Sequence, residues 1–169
     1  MTTTLLHAGP ARRSHAGILL GLGLGGMLDG ILLHQILQWH HVLSGWYPPD
    51  TIENLRLNTL ADGLFHAVTY LLTLGGVIRL WQASRADEEP ARHELIGQML
   101  IGWGAFIVVE GAIAHLLLGL HHVNETVARA QWIWWDLGFL AAGALLLAIG
   151  AVLAHNDRRL PAVSNVPLT

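Results

Sequence analysis

Asp29-Gly30-Ile31-Leu32-Leu33-His34-Gln35-Ile36-Leu37-Gln38-Trp39-His40-His41-Val42 and Glu110-Gly111-Ala112-Ile113-Ala114-His115-Leu116-Leu117-Leu118-Gly119-Leu120-His121-His122-Val123 are two copies of one pattern. Each reads acid-Gly-(x)3-His-(x)5-His-His-Val, and every matched position keeps one constant offset, from 29 to 110, 34 to 115 and 40 to 121. Both copies place acids and histidines inside apolar stretches. Such groups destabilise an apolar span, so their repetition reads as a functional site before it reads as packing.

Working outward, the flanking sequence is apolar enough to explain where these patterns live. Hydrophobic residues make up 53% of the chain and charged ones only 12%, against about 25% charged in ordinary soluble domains. Four long stretches approach or exceed the ~20 residues that cross a bilayer. They fall near Ala16–Trp39, Thr59–Trp81, Ile96–Gly119 and Ile133–Ala154. The first carries too much of the repeated pattern to be a cleaved signal peptide. The expected fold is all-α: an integral membrane four-helix bundle with short loops and tails.

A second correspondence joins the even-numbered spans. Ala61-Asp62-Gly63-Leu64-Phe65 matches Trp135-Asp136-Leu137-Gly138-Phe139, now from 62 to 136, with His66 falling on Leu140. Each copy is therefore a hairpin of two spans, residues 16–82 and 96–154. An even number of spans leaves both copies in one orientation, related by a pseudo-twofold axis along the membrane normal. Residues 1–15 and 155–169, with Pro, Ser and Arg but no apolar period, read as flexible tails.

Arginine sets the expected orientation, because the chain has no lysine. Arg12, Arg13, Arg79, Arg85, Arg92, Arg158 and Arg159 lie in the tails or around the middle connection, and only Arg56 and Arg129 lie opposite. The positive-inside rule then makes both termini cytoplasmic. Trp39, Trp46, Trp132, Trp134 and Trp135 would form an outer aromatic belt, with Trp81 at the inner surface. The charged run before Pro90 reads as a solvated loop leading into the third helix. Asp50 and Glu53 resemble a capping box opening the second. The formal charge of −3 suggests no nucleic-acid partner, and the absence of cysteine excludes thiolate metal sites, c-type haem attachment and disulfides.

On an α-helical period, His34 and His41 share a face with Gln38 between them, as do His115 and His122. Asn58, Asp62, His66, Thr69 and Thr73 form one stripe of the second helix. Asp29 falls about 140° from His34 on that period and near His40 instead, which sets Asp29 and Glu110 apart as supporting groups or a deeper layer. His40, His121, Gln38 and Asn58 join them in that supporting role. The expected metal ligands are His34, His41, His66, His115 and His122, with Asp62 and Asp136 as carboxylate ligands or orienters. His7, His15, His93 and His155 read as solvated or structural.

No arginine lies inside a span to neutralise the four acids, so they must protonate, pair with histidine or bind a cation. Histidine with carboxylate suits zinc, iron or copper, and histidine also suits a proton relay. Three functions follow: a metal centre near the outer face, acting as a metal-dependent oxidoreductase; a metal-ion or proton-coupled carrier with Asp29 and Glu110 as relay; and a b-type haem between His34 and His115, or an accessory subunit. The carrier reading requires a homo-oligomer, and the accessory reading a larger membrane complex. The partners common to all are the bilayer and a small ion or cofactor.

Gly25 to His41, together with Leu57-Asn58-Thr59-Leu60-Ala61-Asp62-Gly63-Leu64-Phe65-His66, resembles a bacterial family of predicted membrane proteins catalogued as domain of unknown function 2243. The resemblance covers Gly17 to about Ala154. It implies a prokaryotic four-span protein of the bacterial inner membrane and brings no activity with it.

Overall fold

In the computed structural model, residues 15–86 and 88–155 are described, and among them there are four long helices and no strand. The expected terminal tails, with Arg12, Arg13, Arg158, Arg159 and His7, lie outside the described residues, as does Asp87. We label the helices α1 (Ala16–Ile36), α2 (Ile52–Arg85), α3 (Arg92–Leu117) and α4 (Arg129–His155). All four are long and apolar enough to cross a membrane. α2 is longer than the expected Thr59–Trp81 because its polar first turns are helical before the apolar stretch begins. Its N-cap is Thr51, whose hydroxyl accepts from Asn54 N at 3.2 Å, rather than Asp50 as the Asp50/Glu53 spacing suggested. Threonine in extended backbone satisfies one of the orphan N–H groups of the first turn.

α2 packs on α1, α1 on α3 and α3 on α4. The central pair can approach closely because glycines remove side chains at the crossing. A Cβ on Gly21 would run into Met99 O, and one on Gly102 would run into Ile18 O. Small residues at such crossings give van der Waals contact between backbones, the main attraction left where lipid replaces water. The flanks follow suit. A Cβ on Gly76 would meet Leu20 N at 2.8 Å, and one on Gly150 would meet Ile101 N at 2.8 Å.

Burial separates inner from outer helices. Half of the most apolar stretch of α1 is buried, against 11% of those of α2 and α4. Leu60, Leu64, Leu71, Trp134, Leu145 and Val152 stay exposed, as expected of side chains whose solvent is lipid. The inward stripe of α2 is polar instead: Asn58, Asp62 and Thr69 are buried. α1 and α3 thus form the middle of the fold; α2 closes onto it with a polar stripe, and α4 with two glycines and the single acid Asp136.

Candidate metal centre

The last turns of α1 and α3 are not α-helical. From Gly30 to Ile36 and from Gly111 to Leu117 the backbone is π-helical. Leu37 N bonds Leu32 O and Leu118 N bonds Ile113 O, each five positions back, and Trp39 N and Leu120 N reach six positions back to Leu33 O and Ala114 O. A π turn carries i→i+5 bonds and so places residues five apart over one another. This overturns the expectation that Asp29 and His34 point apart: His34 Nε2 lies 3.2 Å from Asp29 Oδ2, and His115 Nε2 lies 2.9 Å from Glu110 Oε1.

Both helices then stop at a residue with positive φ, Gln38 at 51° and Gly119 at 57°. Glycine occupies this left-handed conformation without a Cβ penalty, whereas glutamine bears some strain there. The reversal carries His40, His41, His121 and His122 off their helices and back over the ends of the spans. His34 and His41 therefore do not share a helix face, and Gln38 is exposed at the turn.

What the loops return to are the carboxylates of α2 and α4. Asp62 accepts from His34 Nδ1 (3.1 Å), His41 Nδ1 (2.7 Å) and Val42 N (3.0 Å). Asp136 accepts from His122 Nδ1 (2.6 Å) and Val123 N (3.0 Å), with His115 Nδ1 at 3.3 Å in a less aligned approach. Both carboxylates are almost wholly buried. The need of intramembrane acids for histidine partners is met at all four positions.

Among the described residues, two groups of candidate ligand atoms remain. Asp29, His34 and His40 form one, Glu110, His115 and His121 the other, with the ligand atoms of each group within 4.8 Å of one another. His40 Nδ1 bonds Val123 O at 2.8 Å and His121 Nδ1 bonds Val42 O at 2.9 Å. A carbonyl only accepts, so both Nδ1 atoms carry hydrogen and both neutral rings turn an Nε2 lone pair inward. His121 Nε2 faces Glu110 Oε1 at 2.8 Å, a lone pair against a carboxylate oxygen. Such a contact is favourable only with a cation between the two, a proton or a metal ion. His34 Nε2, His40 Nε2 and Glu110 Oε2 are buried without a hydrogen-bond partner. Burial, with His121 and His34 beside it, pushes the His40 imidazole well below the usual histidine range, which keeps that lone pair free.

The two groups lie against each other. The His40 and His121 rings stack with centroids 4.5 Å apart, His34 lies 4.5 Å from His40, and His115 lies 4.7 Å from His121. Phe65 packs on His34 and Phe139 on His115.

The structure therefore divides the residues differently from the sequence expectation. Asp29, Glu110, His40 and His121, expected in support, converge with His34 and His115. His41 and His122, expected as ligands, bond Asp62 and Asp136 through Nδ1. His66 bonds the Asp62 carbonyl of its own helix at 2.7 Å and belongs to neither group. Asn58 tethers the loop instead, donating to Tyr47 O (2.7 Å) and accepting from Leu43 N (3.1 Å). Haem between His34 and His115 finds no support: both nitrogens of each ring face acids, and His40 and His121 stand against both rings. Sequence reading missed the backbone groups of Val42 and Val123, although the shared valine ending both patterns was the available signal.

The chain belongs to the family described as predicted membrane protein (DUF2243), whose model matches residues 16–157. No curated protein and no solved structure matches it.

Proposed function

We propose that this membrane protein holds two metal ions side by side, one on Asp29, His34 and His40 and the other on Glu110, His115 and His121, and that it is a metal-dependent oxidoreductase. The observation that carries the proposal is the repeated set of two imidazoles and one carboxylate. A facial set of two histidines and one carboxylate, with positions left open, is the donor set of redox-active non-haem iron. Iron is accordingly the metal we assign, ahead of copper and zinc.

The surroundings suit that reading. Metal-bound imidazoles almost always donate their other nitrogen to a carboxylate or carbonyl, which fixes the tautomer and strengthens the ligand. Asp62 and Val123 O serve the first group in this way, and Val42 O the second, where Asp136 stands 3.3 Å from His115 Nδ1 without an aligned hydrogen bond. A bound divalent cation would also satisfy the buried Nε2 and Oε2 atoms that lack partners.

The proposal includes the architecture around the centre. The halves 16–82 and 96–154 are copies related by a twofold axis along the membrane normal, a reading supported by the paired contacts of Gly21 with Met99 and Gly102 with Ile18. We place the protein in a bacterial inner membrane, where the arginine distribution favours residues 1–15 and 155–169 as cytoplasmic tails and the centre near the outer face.

Elemental analysis of protein purified in detergent without chelators tests the proposal. The expected result is two transition-metal ions per chain, predominantly iron. Less than one ion per chain, after growth and reconstitution with iron, rejects it.

A further inference from the structure

Because the helices line up with α3 between α1 and α4, a lipid-facing hollow of about 510 Å3 is left with α3 as its floor. That volume lies within the ~300–1,000 Å3 of small-molecule sites. Its lining is almost wholly apolar, and the one carboxylate in it is Asp29. Six aromatic side chains surround it: Trp39, Trp103, Phe106, Trp134, Trp135 and Phe139.

A comparison within the molecule gives those aromatics meaning. A second hollow, of about 340 Å3, opens on Glu110, the acid that matches Asp29 in the other copy of the repeat. Phe106 is the one aromatic in its lining, and Leu22 stands there where its repeat counterpart, Trp103, stands in the first. Ordinary lipid packing asks nothing different of the two sides. The aromatic walls are therefore specific to the hollow on Asp29. Such walls favour flat rings, since offset and edge-on aromatic contacts add attraction beyond that of buried area.

We infer that the hollow on Asp29 is a binding site for a planar, apolar, membrane-dissolved ring compound of the quinone type, which reaches the centre sideways from the lipid. This inference rests on the metal-centre reading for its chemistry, but the site itself is testable without the metal. Gly138 lines the hollow, and a Cβ there meets nothing within 4 Å. Gly138→Phe therefore fills the hollow without displacing backbone. Gly63, equally open and outside the hollow, supplies the control Gly63→Phe.

The probe is an azido-substituted decylbenzoquinone, photolabelled onto detergent-solubilised full chain and mapped by mass spectrometry. Label is expected on α3 near 103–107 and α4 near 134–139, displaced by decylubiquinone but not by decanol. Gly138→Phe should cut labelling at least tenfold, and Gly63→Phe should leave it within twofold. Should Gly138→Phe fail to fold, Trp134→Ala, at a side chain 72% exposed, should lower labelling at least threefold. Undiminished labelling of these variants, or equal displacement by decanol, overturns the ring site. Metal content measured on the same samples speaks separately: less than one ion per chain after reconstitution with iron rejects the metal centre, and specific labelling of that protein retains the ring site.

Discussion

The imidazoles of His40 and His121 lie face to face, 4.5 Å apart and 6° from parallel, and each donates to the carbonyl of the valine beside the other: His40 to Val123, His121 to Val42. Each valine also gives its N–H to the acid of the neighbouring outer helix, Val42 to Asp62 and Val123 to Asp136. The two returning loops are thereby cross-tied, and one contact both joins the halves and aims an Nε2 lone pair into each ligand group. His40→Phe keeps the flat ring but removes both nitrogens. The orphaned Val123 carbonyl should cost about 1–3 kcal/mol, visible as a lower melting temperature, while bound metal falls from two ions per chain to one.

Asp62 and His66 sit one turn apart on α2, yet their replacement should have opposite consequences. Asp62→Asn weakens the acceptor behind His34 and should lower metal affinity about 10–100-fold, the usual loss for an outer partner of a metal-bound histidine. His66→Leu should leave affinity unchanged. His66 bonds only its own helix, and its counterpart in α4 is Leu140, which lies against Gly111 as His66 lies against Gly30. Competition against a calibrated chelator measures both. Loss of metal in His66→Leu would show that the two halves do not hold their ions alike.

Hydropathy alone revealed the spans, because apolar stretches of about twenty residues have few alternatives in any protein. The same reading singled out Asp62 and Asp136 through the match between the second and fourth spans, as carboxylate ligands or orienters, and both acids lie behind the histidines, bonded to His34, His41 and His122. It misplaced Asp29 and Glu110 because an α-helical period was extended through Gly30–Ile36 and Gly111–Leu117. An acid followed at the fifth position by histidine, present twice, has no common face on an α-helix and does on a π turn. That spacing was visible before any coordinates. The return of His40 and His41 was harder to foresee, since it depends on Gln38 adopting positive φ, a conformation that glutamine gives little reason to expect.

Close backbone contact at Gly21 and Gly102 makes these positions intolerant of any side chain. Gly21→Val or Gly102→Val has only backbone atoms of the facing helix to push against, so each should destabilise by about 1–3 kcal/mol or more, the range for overpacking. Gly63→Ala meets nothing and should stabilise slightly, by up to ~1 kcal/mol from helix propensity. Thermal unfolding in one detergent at fixed pH ranks the three. Equal melting temperatures would mean that α1 and α3 do not touch at these glycines.

The division of histidines into two kinds can be decided by counting ions. If Asp29 and Glu110 are ligands, Asp29→Asn and Glu110→Gln should each remove one ion, and the double variant both. His41 and His122 bind only the carboxylates behind the site, so His41→Ala and His122→Ala should keep two ions per chain. Affinity should fall in both, because Asp62 and Asp136 each lose a donor that holds them in place. The set expected from the sequence, His34, His41, His66, His115 and His122 with Asp62 and Asp136, predicts the reverse: metal lost in the alanine variants and retained without Asp29 and Glu110. Geometry favours the first pattern, since His41 and His122 already spend Nδ1 on carboxylates and are the more exposed members, at 18% and 26% of their side chains.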